Sequence, residues 1–125
     1  MKYLCLGYME ESTFETWTDS ERKAFMAECF AYDEILKKNG HFADGIALQS
    51  SRNATTLRYV NGKVSMTDGP YAETKEQLGG LMVLEATDLN HAIQLMSKHP
   101  SIRYGTCWEV RPTEDLDAMI ASVQQ

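Results

Sequence analysis

Lys2-Tyr3-Leu4-Cys5-Leu6-Gly7-Tyr8-Met9 is a run of apolar and aromatic residues short enough to be a strand. Leu81-Met82-Val83-Leu84 repeats its character later in the chain. Successive side chains of a strand point to opposite faces. In the first run Leu4, Leu6 and Tyr8 point one way and Tyr3, Cys5 and Met9 the other, and both sets are apolar. The second run is apolar on both faces as well. A sheet with one face in water shows apolar/polar alternation instead, so both faces of this sheet are expected to be covered.

Working outward, Thr18 with Glu21 three residues later has the spacing of a helix capping box. Phe25, Cys29, Tyr32 and Leu36 follow on one helical face. Lys37 and Lys38 suit the negative end of the helix, and Gly40 supplies its stop. Residues 42–48 read as a strand. A hairpin comes next: Thr55, Leu57 and Tyr59 alternate up to Asn61-Gly62, and Val64 and Met66 alternate away from it. After a connection over 68–80 and the strand at 81–84, a shorter helix starts near Asp88 and ends before Pro100. A strand over 106–111 follows, then a helical extension over 113–125 with Leu116, Met119, Ile120 and Val123 as its apolar stripe.

With the hairpin as an insertion, the order is β-α-β-(ββ)-β-α-β. This predicts an α+β, ferredoxin-like split βαβ fold, one domain over residues 1–125. Its two crossover helices cover one face of the sheet only. A second copy of the chain is the expected cover for the other face, giving a homodimer with sheets packed face to face; the alternative is a monomer in which the hairpin and the tail helix fold over the sheet.

Composition narrows the function. Hydrophobic residues make up 43% and charged residues 24%, the balance of a globular protein. Eighteen acids against twelve bases leave a net charge of −6, which argues against nucleic-acid binding. No apolar run approaches the roughly 20 residues of a membrane span, and the N-terminus does not read as a signal peptide, so a cytoplasmic protein is expected. The three cysteines (Cys5, Cys29, Cys107) and three histidines (His41, His91, His99) show no metal-ligand spacing. Neither metal nor organic cofactor is expected, and the thiols read as core residues.

The connection Thr67-Asp68-Gly69-Pro70-Tyr71-Ala72-Glu73-Thr74-Lys75-Glu76-Gln77-Leu78-Gly79-Gly80 is unusual. Asp68, Gly69 and Pro70 favour a rigid corner, which then carries Tyr71, Glu73 and Lys75. A well-made turn is the plain interpretation. The functional one makes Asp68 an acid/base at the mouth of a cavity, with Tyr71 polarising a small ligand and Lys75 or Arg111 holding an anionic group. Glu109 and Arg111 share one face of the last strand and suit a carboxylate ligand. Arg58 is a further anion contact. His41, just past Gly40, has the titration range of a general base, although a loop histidine exposed to solvent explains it too. His91 and His99 read as polar residues on the outer face of the second helix.

The TDGPYAETKEQLGG run closely resembles the signature of the YCII-related family in its DGPF-domain branch, with Tyr71 in place of the motif's Phe. The resemblance extends through the opening strand, Gly40, Gly45-x-x-Leu48, 54–58 and Glu109-Val110-Arg111-Pro112. It implies a dimeric α/β barrel of ferredoxin-like protomers. Some relatives resemble cofactor-free enzymes of small ring compounds, using a His–Asp pair. The histidine of that pair lies on the first helix, eleven residues before its terminal glycine, and that position here is Cys29. Others accompany sigma factors. Two functions therefore stay open: a small-ligand-binding dimer with isomerase- or lyase-type activity on an anionic or ring compound, and a non-enzymatic accessory dimer acting with a transcription factor.

Overall fold

In β1 (Lys2–Met9) Tyr3, Cys5 and Gly7 are buried, while the alternate residues Leu4, Leu6 and Tyr8 are only half-buried. A computed structural model, describing residues 1–124, shows what each face meets. Beyond β1 the chain forms α1 (Glu11–Glu15), α2 (Asp19–Lys38), β2 (Phe42–Ala47), β3 (Thr55–Val60), β4 (Lys63–Asp68) and β5 (Gln77–Glu85). It continues through α3 (Leu89–Ser97), β6 (Cys107–Pro112) and α4 (Leu116–Val123), with 3-10 turns at Ser51–Asn53 and Pro100–Tyr104. β2, β5, β1 and β6 lie side by side in that order as one antiparallel sheet, while β3 and β4 pair only with each other. The α+β architecture and the ferredoxin-like strand order agree with the sequence reading.

The capping box forms as its spacing predicts. Glu21 N–H donates to Thr18 Oγ1 at 3.1 Å, and Thr18 N–H donates to Glu21 Oε1 at 3.0 Å. The helix closes where His41 N–H donates to Leu36 O at 2.8 Å. In the hairpin, Asn61 and Gly62 take positive φ (52° and 80°), as an Asn-Gly turn requires.

α2 and α3 cover one face of the sheet. The core there is Tyr3, Cys5, Leu36, Met82, Leu84, Ala92 and Met96, with Tyr32, Trp108 and Val110 packed against it. On the other face lie Leu4, Leu6, Ile46, Leu81 and Val83, in register across β1, β5 and β2. None of these five is buried.

Three elements differ from expectation. α1 is an element that no periodicity in the sequence predicts: Glu11 binds the Ser51 turn (N–H to Oε1, 2.6 Å) and Arg22 reaches the carbonyls of Phe14 and Glu15. β5 starts at Gln77 and so takes Gly79 and Gly80 into the sheet, where Gly80 packs against the Ile46 carbonyl. The helix before Pro100 stops at Ser97, which leaves His99 outside it.

Leu84 is fully buried between the sheet and its helices. Leu84→Ala is expected to cost about 2–5 kcal/mol, and Thr18→Ala about 1 kcal/mol through the lost cap. Urea unfolding followed by circular dichroism checks both, and equal losses would contradict the assigned core.

Candidate functional site

The corner at Asp68 is rigid. Gly69 N–H donates to Ala54 O at 2.7 Å, and the Thr56 hydroxyl donates to Gly69 O at 2.8 Å. The Gln77 side-chain amide donates to the carbonyls of Ala72 and Thr74. Asp68, Glu73 and Lys75 line a shallow charged depression of about 430 Å³ with Glu11 and Arg52, and Lys75 Nζ lies 3.7 Å from Glu10. Tyr71 lines a neighbouring depression of about 720 Å³ with Tyr8; it is 79% exposed, with the Arg58 guanidinium 5.1 Å from its ring centroid. Asp68 and Tyr71 thus share a wall at Pro70 but open onto different depressions.

The remaining expected residues lie elsewhere. Arg111 pairs with Glu109 at 3.7 Å, and the Tyr8 hydroxyl donates to Glu109 at 3.4 Å, all on the open face of the sheet. His41 sits at the other end of β5 from the Asp68 loop: its Nδ1 is 3.0 Å from Glu85 O and its ring stands edge-on to His91. These eight residues form no single constellation.

Another open cleft lies between α2 and the sheet. This cavity of about 450 Å³ is walled by Phe25, Cys29, Phe30, Phe42, Met82 and Trp108. Phe25 also joins Phe14, Trp17 and Tyr104 in a cluster of tilted and edge-on rings at 5.0–6.1 Å, so α1 helps to hold this wall. Into the cavity projects Asp33, one turn after Cys29, and it carries a polar chain behind it. Asp33 Oδ1 lies 3.2 Å from His99 Nε2, His99 Nδ1 lies 2.6 Å from Ser101 Oγ, and Trp108 Nε1–H donates to Ser101 Oγ at 2.8 Å. His99 and Ser101 are 4% and 3% exposed. Trp108 reaches Ser101 by lying across Gly7, where a Cβ would come within 2.9 Å of its ring. β1, α2, β6 and the Pro100 turn each contribute one part.

No local pattern predicts this group. His99 reads as helical from the sequence, yet the residue before a proline is driven out of the helical region, and Pro100 follows it. Asp33 falls four residues after Cys29 and hence on the same flank, a position the apolar count passed over. The thiol that replaces the expected histidine, Cys29, lines this same cavity, and the imidazole of His99 enters it from the Pro100 turn.

Burial, with smaller contributions from Asp33 and Glu28, pushes the Cys29 thiol up to about 11. Burial does the same to Cys5, also up to about 11. Burial, followed by the Asp33 charge, raises Tyr32, whose hydroxyl donates to Leu95 O. Among the described residues no group of three or more His, Cys, Asp or Glu is placed to hold a metal ion, and no helix is long and apolar enough to cross a membrane.

The model of the YCII-related domain matches residues 1–116. An uncharacterised protein of Rhizobium meliloti (strain 1021) is 32% identical over 116 residues, covering 90% of this chain and 91% of that protein. The chain belongs to the YCII-related family.

Raised thiol pKa values keep Cys5 and Cys29 protonated at pH 8, whereas the thiolate is the reactive form. Cys107 is exposed. A chromogenic thiol reagent at pH 8 is therefore expected to titrate one fast thiol per native chain, and all three in denaturant. Fast modification that persists in Cys107→Ser would contradict this.

Proposed function

We propose that the protein is a dimeric small-ligand-binding protein whose α2–sheet cavity performs cofactor-free proton transfer, of isomerase or lyase type, on a small ring compound. The observation that carries this reading is a carboxylate, Asp33, backed by a buried histidine at a cavity walled largely by apolar side chains. The cavity is lined largely by apolar side chains, Phe25, Phe30 and Phe42 among them, which suit the faces of a small ring. A base there removes a proton from a carbon next to a carbonyl or equivalent acceptor group. The C–H bond breaks, its electron pair moves toward that acceptor, and the proton rests on Asp33. Return of the proton to a second carbon is isomerisation; departure of a leaving group with the electron pair is elimination. The step needs no oxidant.

Proton transfer falls to Asp33 rather than to Asp68, Tyr71 or His41. The first two stand exposed on separate depressions, and the third lies at the far end of β5. Arg58, Glu73, Lys75, Glu109 and Arg111 also lie outside this cavity, on exposed surface.

The dimer is proposed from uncovered apolar surface. Leu4, Leu6, Leu81 and Val83 are half-buried and Ile46 is 54% exposed. The hairpin carries Leu57, Tyr59, Val64 and Met66 on one face, all exposed, and α4 exposes Leu116, Met119, Ile120 and Val123. A patch of this extent is an association liability in a monomer. Face-to-face packing of two open sheets, as a dimeric α/β barrel, would cover its centre.

Two experiments test these proposals. Wild-type protein incubated in D₂O with a panel of hydroxyl-bearing unsaturated lactones and cyclic ketones is expected to exchange a ring C–H. Asp33→Asn should slow that exchange about 100-fold or more, with the fold intact by circular dichroism. Equal exchange by both proteins, or by neither, overturns the activity. In sedimentation equilibrium the protein is expected at twice its 14.1 kDa chain mass, and Leu6→Glu at the chain mass. A wild-type monomer removes the dimer.

A further inference from the structure

In the polar chain behind Asp33, every proton has one available place. Trp108 Nε1–H is a donor only, so the Ser101 oxygen, 2.8 Å away, accepts from it. The Ser101 backbone N–H points at His99 Nδ1 at 3.3 Å, and a donor aimed at that nitrogen requires a lone pair there. The Ser101 hydroxyl, already accepting, gives its own proton to Nδ1 across 2.6 Å. Neutral His99 therefore carries its proton on Nε2 and donates it to Asp33 Oδ1 at 3.2 Å. Both ring nitrogens are then committed. The second carboxylate oxygen of Asp33 takes no hydrogen bond among the described residues.

From this geometry we infer that His99, Ser101 and Trp108 are positioning residues whose donors all run toward Asp33, and that the cavity takes a neutral ring compound bearing its own donor rather than an anion. The histidine is not the base. Its fixed tautomer orients the carboxylate, and Asp33 is left to accept a proton or hydrogen bond from the ligand. A ligand carboxylate would face the Asp33 charge with no imidazole proton free to receive it. The other charges at the cavity, Glu34 and Lys37, pair with each other at 3.1 Å on exposed side chains. Cys29 is a neutral thiol there, and the Tyr32 hydroxyl is engaged by Leu95.

The ligand preference rests on the cavity being the functional site; the proton arrangement does not. The imidazole nitrogens of ¹⁵N-labelled protein at pH 7.5, without ligand, read the arrangement directly. His99 is expected to show an unprotonated Nδ1 and a protonated Nε2. Ser101→Ala and Trp108→Phe are expected to mix the two tautomers. A wild-type His99 protonated on Nδ1, or on both nitrogens, overturns the inference, and this needs no variant to fold. Phenol and benzoate, titrated in parallel and followed by amide shifts around Asp33, read the preference. Phenol is expected to bind at least tenfold more tightly, and equal or tighter benzoate binding overturns it. If neither binds while the tautomer is as expected, the functional proposal fails and the proton arrangement stands.

Discussion

The antiparallel pairing of β1 with β5 is the contact on which the molecule depends. It places Tyr3 opposite Leu84 and Cys5 opposite Met82 on one face, and Leu4 opposite Val83 and Leu6 opposite Leu81 on the other. The first set is the floor under α2 and α3, beside which the polar chain from Asp33 through His99 and Ser101 to Trp108 lies. The second set has no cover in its own chain. One pair of strands thus supplies both the floor beside the cavity and the uncovered apolar face from which the dimer is proposed, and a one-residue slip in register would exchange the two faces.

Placing Asp33, His99 and Ser101 beside this apolar floor carries a desolvation cost, which hydrogen bonding offsets. A buried donor or acceptor left without a partner costs about 1–3 kcal/mol, and no buried side-chain nitrogen or oxygen among the described residues lacks one. The bonds that make the polar chain tolerable also fix its direction. Trp108 has no acceptor and Ser101 has one proton, so satisfying both leaves the imidazole only one neutral form. Gly7 belongs to the same arrangement, because any side chain there would lift the indole away from Ser101.

Much of the fold is legible from local physics. The Thr18–Glu21 cap, the Asn61-Gly62 turn and the two-sided apolar strands each have a cause within a few residues of themselves. α1 does not: it is held by Glu11 reaching the Ser51 turn and by Arg22, contacts no local pattern contains. Gly79 and Gly80 fall in the connection before the apolar run 81–84, yet they sit in β5, where the neighbouring strand needs the room. The site was the least legible part, because its members come from α2, the Pro100 turn and β6 and meet only through the sheet. The one local signal was His99 before Pro100, which excludes a helical position and hence an outward helical face.

Most of the distinctive stretch 67–80 lies away from the cavity, and only its final Gly79 and Gly80 line it. Hydrogen bonds from Gly69, Thr56 and Gln77 tie the stretch to the hairpin base and to itself, so its rigidity has an architectural cause: it sets the direction in which β3 and β4 leave the sheet. A two-stranded ribbon is marginal alone in water, and so is a helix of eight residues. Both nevertheless carry apolar faces uncovered by their own chain. A ribbon held stiffly by such a corner loses less entropy on docking than a loose one, which makes it an effective arm for the proposed dimer. On that account the motif would govern how copies of the chain meet in the proposed dimer, while Asp33 and the residues behind it would govern what the cavity holds under the proposed function.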